Sequence, residues 1–146
     1  MHQISREPVS EDLIALLEVC ALPVGDVALG GPTQFFGIRT EGALVAVVGL
    51  ECYGHIALLR SLAVAPSVRG LGLAKSLVSF AESYASSNGI GELFLLTTTA
   101  EQFFLRRGYV PTSRIAAPTV IQATSEFAEL CPASSVLLSK HMAPGG

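Results

Sequence analysis

The chain has 146 residues, long enough for one domain with a sizeable core. Half of it is hydrophobic, only 14% is charged, and the net charge is −3. Those figures exclude a disordered chain and argue against nucleic acid or an anionic membrane surface as the main partner.

Taken in order, residues 3–6 read as a short strand. Val9 to Leu22 reads as a helix, with Leu13, Leu16, Leu17 and Cys20 on one face and Ser10 ahead of Glu11 and Asp12 at its start. Pro23 ends it, and Val24 to Leu29 reads as a second short helix closed by Gly30-Gly31-Pro32. Thr33 to Arg39 is a strand, Glu41-Gly42 a turn, and Ala43 to Cys52 a strand without polar alternation, hence covered on both faces. Tyr53-Gly54-His55 forms a hairpin into a strand from Ile56 to Ala65. After a glycine-containing loop, Pro66 to Gly72, a helix carries Ala74, Leu77, Val78, Ala81 and Ala85 on one face, and Asn88-Gly89 stops it. Glu92 to Leu96 is a strand. Thr99 to Arg107 is a helix with Phe103 and Phe104 inward and Gly108 closing it, and Tyr109 to Arg114 begins another strand. Pro118 to Leu130 holds short helical turns with Val120, Ile121 and Phe127 as the apolar set, Ser134 to Lys140 is the last strand, and the tail 143–146 frays. The element order predicts one domain over 1–146: an antiparallel meander followed by βαβ crossovers, a mixed α/β sheet with helices on both faces.

No apolar run reaches the ~18 residues of a membrane span. The opening MHQISREPVSED lacks the apolar run of a signal peptide. Cys20, Cys52 and Cys131 have no metal-ligand spacing. The expectation is a cytoplasmic protein with no metal, its cysteines small buried hydrophobes in a reducing compartment.

The stretch from Ile56 to Ala85 organises the rest. A strand that feeds a glycine loop and a helix start makes an anion site, because the first backbone N–H groups of a helix lack intrahelical partners and the helix dipole favours negative charge. Gly70 and Gly72 let a phosphate approach the backbone. No Ser, Thr, Asp or Asn immediately precedes the helix as a cap, so a bound phosphate fits that role.

The run Leu62-Ala63-Val64-Ala65-Pro66-Ser67-Val68-Arg69-Gly70-Leu71-Gly72-Leu73-Ala74 resembles the acetyl-CoA motif of the GCN5-related N-acetyltransferase (GNAT) superfamily, with Arg69, Gly72 and Ala74 at its defining positions. Ala100 to Tyr109 resembles the second motif of that family, a helix ending in Gly-aromatic. More narrowly, residues 57–62, 97–100 and 124–132 resemble a subgroup named for arsenic resistance. The resemblance implies an acyl-CoA N-acyltransferase fold with a central mixed sheet of about six or seven strands, acetyl-CoA as cosubstrate, and homodimers with the 134–140 strand as a pairing edge. It further implies that backbone amides from Arg69 through Gly70, Leu71, Gly72, Leu73 and Ala74 hold the pyrophosphate, with Lys75 adding charge. The pantetheine arm would pair with amides near Leu62, Ala63 and Val64, in a gap between the strands 56–65 and 92–97. An amide there would stabilise the oxyanion of the thioester as it gains charge. Phe104 lines the cofactor site where many members carry a tyrosine acid. A phenyl ring donates no proton, so no general acid is assigned, and Tyr109 is read as core.

Transfer to an amine needs a base. Glu51 ends an apolar strand, where desolvation would suit a carboxylate to that task, and its alternative is an exposed hairpin acid. His55, just across the turn, is a second candidate, or a solvated turn histidine. Arg60 stands among Leu58, Leu59, Leu62 and Val64, where a charge needs a partner. With the hairpin turning at Tyr53-Gly54, Arg60 falls opposite Val47, roughly 10–13 Å from Glu51 at ~3.3 Å per residue. Its partner is then either a substrate anion or another acid of the protein. Arg114 is a second anion-binding candidate. Thr98, beside Thr97 and Thr99, either binds substrate or caps the helix that follows. The expected function is acetylation of the amine of a small, anionic metabolite or toxic amino-acid analogue. The alternatives are an acyl-CoA-binding module acting as sensor or protein partner, and transfer of a longer acyl group.

Overall fold

The computed structural model describes residues 3–27, 31–130 and 134–142. Seven strands, β1 (Ser5–Glu7), β2 (Gln34–Thr40), β3 (Ala43–Tyr53), β4 (Ile56–Val64), β5 (Glu92–Thr97), β6 (Val110–Pro111) and β7 (Val136–His141), hydrogen-bond in the order β1-β2-β3-β4-β5-β7-β6. The helices are α1 (Glu11–Val19), α2 (Leu73–Ser87), α3 (Glu101–Leu105) and α4 (Thr119–Gln122), with a 3₁₀ turn at Pro66–Val68 and a π turn at Glu126–Leu130. The chain forms two compact units, Met1–Glu51 with Leu59–Tyr84, and Cys52–Leu58 with Ala85–Gly146.

In the first unit β1, β2 and β3 form an antiparallel meander. The β2–β3 turn places Glu41 and Gly42 at φ 51° and 84°, the left-handed pair that matches the twist of a two-residue hairpin. Side chains alternate along β2. Phe35 enters a core with Leu13, Leu16 and Leu17 of α1, Val47 of β3 and Ala63 of β4. Phe36 turns the other way, onto Phe80 and Tyr84 of α2 at 5.1 and 4.8 Å. The two helices therefore cover opposite faces of the meander, which is why β3 is buried through Ala46–Glu51 without polar alternation.

In the second unit the start of β4 runs parallel to β5, pairing Ile56, Ala57 and Leu58 with Glu92, Leu93 and Phe94. β7 then inserts antiparallel between β5 and β6. Leu58, Phe94, Leu96, Ala117, Ile121 and Leu137 make its core. The expected βαβ crossovers are two: β4–α2–β5, and β5–α3–β6, whose parallel strands leave room for β7 between them. The last strand is interior, so the edge expected from residues 134–140 belongs to β6 instead. Pro111 has no N–H to extend that edge strand, which spans two residues rather than the expected 109–114.

Helix ends account for the other differences. α1 stops at Val19, short of the expected Leu22, because Ala21 takes φ 58°. Ala21 N–H then donates to Glu18 O (3.0 Å) and Leu22 N–H to Leu17 O (2.9 Å), a Schellman end without its usual glycine. α3 starts at Glu101 rather than Thr99. Residues 24–27 form a turn, Val27 N–H to Val24 O at 3.1 Å, and the remainder of the expected 24–29 helix lies outside the described residues, as do Cys131 and the tail. Leu73 rather than Ala74 starts the buried face of α2, Val120 is exposed, and Cys20 is half-buried and Cys52 exposed instead of being core.

A clamp ties β1, α1 and β2. Arg39 Nη2 meets Glu7 Oε1 at 2.8 Å, and its Nη1 meets Asp12 Oδ2 at 2.8 Å and Gly42 O at 2.8 Å. The Ser10 hydroxyl and Arg39 hold the Asp12 carboxyl below its ordinary value of 3.8. A carboxyl depressed on folding adds stability above its unfolded value and loses it as pH falls through the folded one. Asp12 is largely exposed, so the effect is small. Asp12→Asn is expected to lower Tm by about 1–4 °C at pH 7, with the difference vanishing as the pH falls through the lowered value of the folded Asp12, read by thermal scans across pH.

Candidate active site

β4 carries the site in the first unit. Its Ser61 lies at φ 56°, a left-handed conformation that is uncommon for a residue with a Cβ. A left-handed residue breaks the inward–outward alternation of a strand. Arg60 and Ser61 are both buried, at 2% and 6% exposure, and Arg60 Nε donates to Ser61 Oγ at 3.0 Å.

The guanidinium is enclosed by acids. Arg60 Nη1 donates to Glu51 Oε2 at 2.7 Å and also to Asp26 Oδ2, and Nη2 donates to Asp26 Oδ1 at 3.0 Å. Thr33 Oγ1 donates to the same Glu51 Oε2 at 2.9 Å. The expected separation of Arg60 and Glu51 is therefore corrected. The turn comprises Gly54-His55, between β3 ending at Tyr53 and β4 beginning at Ile56, not Tyr53-Gly54. That moves Arg60 opposite Gly49, where an added Cβ would lie 3.3 Å from Arg60 Cγ, and Gly49 is two residues from Glu51 on the same face. The partner of Arg60 is a pair of protein carboxylates. Glu51 is buried at 2% and not an exposed hairpin acid, whereas His55 is exposed in the turn.

Downstream, Ala65 N–H still reaches Val45 O at 2.8 Å before the chain enters the 3₁₀ turn. Gly70 and Gly72 have φ 84° and 81°, and a Cβ at either would meet nothing within 4 Å. Glycine is needed there for backbone conformation rather than for want of space. The first backbone bond of α2 is Ser76 N–H to Gly72 O at 3.0 Å, so the N–H groups of Leu73, Ala74 and Lys75 point out of the helix start without intrahelical acceptors. Arg69 folds back, Nε to Val64 O at 3.1 Å and Nη2 to Cys20 Sγ at 3.7 Å. Leu71 is exposed, Leu62 and Val64 are half-buried, and Ala63 faces the core.

In the second unit Thr97 Oγ1, not Thr98 or Thr99, accepts the Ala100 N–H at 2.9 Å ahead of α3, and Thr98 is exposed. Phe104 and Tyr109 are both buried, ring centroids 5.3 Å apart. Arg114 donates to Ser135 O at 3.3 Å and lies 4.5 Å over the Phe127 ring. Sequence reasoning missed Asp26, Thr33, Ser61 and Ser135. Only the need of Arg60 for an acid pointed to the first of them. Among the described residues no group of three or more His, Cys, Asp or Glu side chains is placed to hold a metal ion, and no helix is long and apolar enough to cross a membrane.

Residues 31–111, spanning β2 to β6, match the acetyltransferase (GNAT) domain family, and the chain belongs to it. Over 79 residues the chain is 43% identical to an amino-acid acetyltransferase from Ralstonia nicotianae, covering 53% of this chain and 18% of the relative. Over 77 residues it is 36% identical to an uncharacterized N-acetyltransferase from Chlorobaculum tepidum, covering 52% and 49%. The chain thus spans at most about half the length of these relatives. The fold is similar to that of a Staphylococcus aureus GNAT-family acetyltransferase, TM-score 0.80 at 15% identity over 98% of this chain and 100% of the other. It is also similar to N-acetylglutamate synthase from Neisseria gonorrhoeae in complex with coenzyme A and N-acetyl-glutamate, TM-score 0.74 at 18% identity over 98% and 36%.

Breaking a buried ion pair by removing one partner leaves an uncompensated charge. Arg60→Met is expected to cost about 3–5 kcal/mol in urea unfolding, and adding Glu51→Leu to recover more than half of that loss.

Proposed function

We propose that residues 1–146 act as one acetyl-CoA-dependent N-acetyltransferase domain whose acceptor is the amine of a small amino acid or amino-acid analogue. The observation that carries this is the pair of left-handed glycines leading into a helix start with outward amides, inside the region matched to the family. The donor set suits a pyrophosphate: of the assigned amides from Arg69 through Ala74, that of Arg69 already donates to Pro66 O at 3.5 Å, while those from Gly70 on offer hydrogen bonds, the 15-residue helix offers its dipole, and Lys75 adds a cation. The backbone of Leu62, Ala63 and Val64 is assigned to the pantetheine arm, and one of its amides to the oxyanion. Relatives named as amino-acid acetyltransferases favour an amino-acid acceptor. They lend no support to the arsenic-resistance subgroup.

The amine attacks the thioester carbonyl directly. A carbon–nitrogen bond forms, the carbon–sulfur bond breaks, and the amine gives up a proton. Glu51 takes that proton, directly or through water, while Arg60 and Thr33 fix its orientation. No side chain is assigned as the acid, since Phe104 has no proton to give. Thr98 is exposed beside α3 and is kept as an acceptor contact.

A second reading, an acyl-CoA-binding module without turnover, is favoured by Phe104 at the acid position and by the engagement of Glu51 with Arg60. Release of CoA thiol with the twenty amino acids separates the two. The transferase reading expects turnover with at least one of them, and Glu51→Gln to lower kcat by about 10²–10⁴ with the acetyl-CoA affinity held. Gly72→Val, which forces a β-branched residue to φ 81°, is expected to raise the acetyl-CoA KM at least about tenfold. Tight acetyl-CoA binding with no thiol release would leave the module.

A further inference from the structure

The last carbonyl of β4 is covered by two side chains of the first unit. The peptide joining Val64 to Ala65 turns its N–H toward β3, where Ala65 N–H meets Val45 O at 2.8 Å. In a trans peptide the carbonyl points the opposite way, so Val64 O lies on the edge of β4 away from β3. On that edge β4 is strand-paired over residues 56–58, well before Val64. Arg69 Nε donates to Val64 O at 3.1 Å, and Cys20 Sγ donates to it at 3.5 Å. A carbonyl oxygen has two lone pairs, and both are engaged. Arg69 Nη2 reaches back to Cys20 Sγ at 3.7 Å, which holds the far end of the guanidinium.

This hold on Arg69 is a light one. Arg39 and Arg60 bind carboxylates, whereas Arg69 is exposed and meets none among the described residues. A thiol is a weak donor and a weak acceptor. Gly70, at φ 84°, follows directly, and the outward amides at the start of α2 stand a few residues further along the chain. A phosphate there competes for the guanidinium, because the planar fork makes two charge-assisted bonds to it at once.

We propose that Arg69 determines the acyl donor: its side chain guards Val64 O, and a pyrophosphate draws it away, so that the free edge of β4 opens to a pantetheine amide when the donor carries its nucleotide end. This rests on the acetyl-CoA reading above and narrows it to free acyl-CoA, as against thioesters that end at pantetheine. Such a shortened donor has to displace a charged hydrogen bond from Val64 O with a neutral one. A donor with the pyrophosphate gives the guanidinium a stronger partner in exchange.

The test uses the full chain as wild type and Arg69→Ala, with acetyl-CoA and S-acetyl-pantetheine as probes. Each is titrated by calorimetry without an acceptor, so the result stands whether or not an amine is turned over. Removing the guard acts on the two donors in opposite directions. Arg69→Ala is expected to raise the Kd for acetyl-CoA about tenfold through the lost bond to phosphate, and to lower the Kd for acetyl-pantetheine about three- to tenfold through the freed carbonyl. The preference for acetyl-CoA then falls about 30- to 100-fold. In the wild type, the Arg69 Nε–H resonance, assigned by its loss in Arg69→Ala, is expected to move on saturation with acetyl-CoA. A substitution that changes neither affinity, weakens both alike, or weakens acetyl-CoA alone overturns the proposal while the acetyl-CoA reading stands. An Arg69 resonance that saturating acetyl-CoA leaves in place does the same. If the wild type binds neither donor, the acetyl-CoA reading fails and the guard falls with it.

Discussion

The first unit depends on one buried guanidinium. The Arg60 side chain has no exposed surface, and taking a charge out of water costs several kcal/mol unless hydrogen bonds replace the lost hydration. Those bonds come from Asp26 after α1 and Glu51 on β3, both distant in sequence, and from the adjacent Ser61. Each partner fixes a piece of chain. Asp26 draws the segment after α1 onto the sheet, and Glu51 sets the register of the β3–β4 hairpin. Two carboxylates share one guanidinium, so the cluster is a weak source of net stability. It is better understood as a device that allows one arrangement of these three segments.

The stretch from β4 to the start of α2 concentrates unusual backbone. Ser61, Gly70 and Gly72 all have positive φ, within a dozen residues. At the glycines this is nearly free; at Ser61 it costs on the order of 1–3 kcal/mol. The bond from Arg60 Nε to Ser61 Oγ offsets part of that cost and depends on it, since in a regular strand the two side chains would point to opposite faces.

Much of this was legible beforehand, because the signals were local. The positions of β2 to β5, the turn at Glu41-Gly42 and the glycine loop follow from alternation, composition and glycine spacing, and the family follows from two motifs on the right elements. What was not legible depended on non-local geometry. A one-position shift of the turn, two residues in the pairing, brought Arg60 to Glu51, and no pattern in residues 56–65 announces that Ser61 rather than a glycine would take a left-handed turn. Asp26 lay in a stretch that read as helix. Ala21 likewise hid the end of α1, because the left-handed position there lacks its usual glycine.

The helix ends bear on the chemistry. The ends of α1, α2 and α3 close in the same way, with a backbone bond spanning the left-handed residue: Leu22 N–H to Leu17 O, Ile90 N–H to Ala85 O, and Tyr109 N–H to Phe104 O. At the third, Tyr109 N–H donates to Phe104 O at 3.2 Å and Lys140 Nζ donates to Arg107 O at 2.7 Å, placing a cation on the negative end of α3. Phe104 is thus one half of a buried aromatic pair that fixes where α3 stops. Its ring meets those of Phe103 and Tyr109 edge to face, with centroids 5.1 and 5.3 Å apart. The phenyl ring serves the packing, and in the proposed reaction it leaves the departing thiolate to draw its proton from solvent.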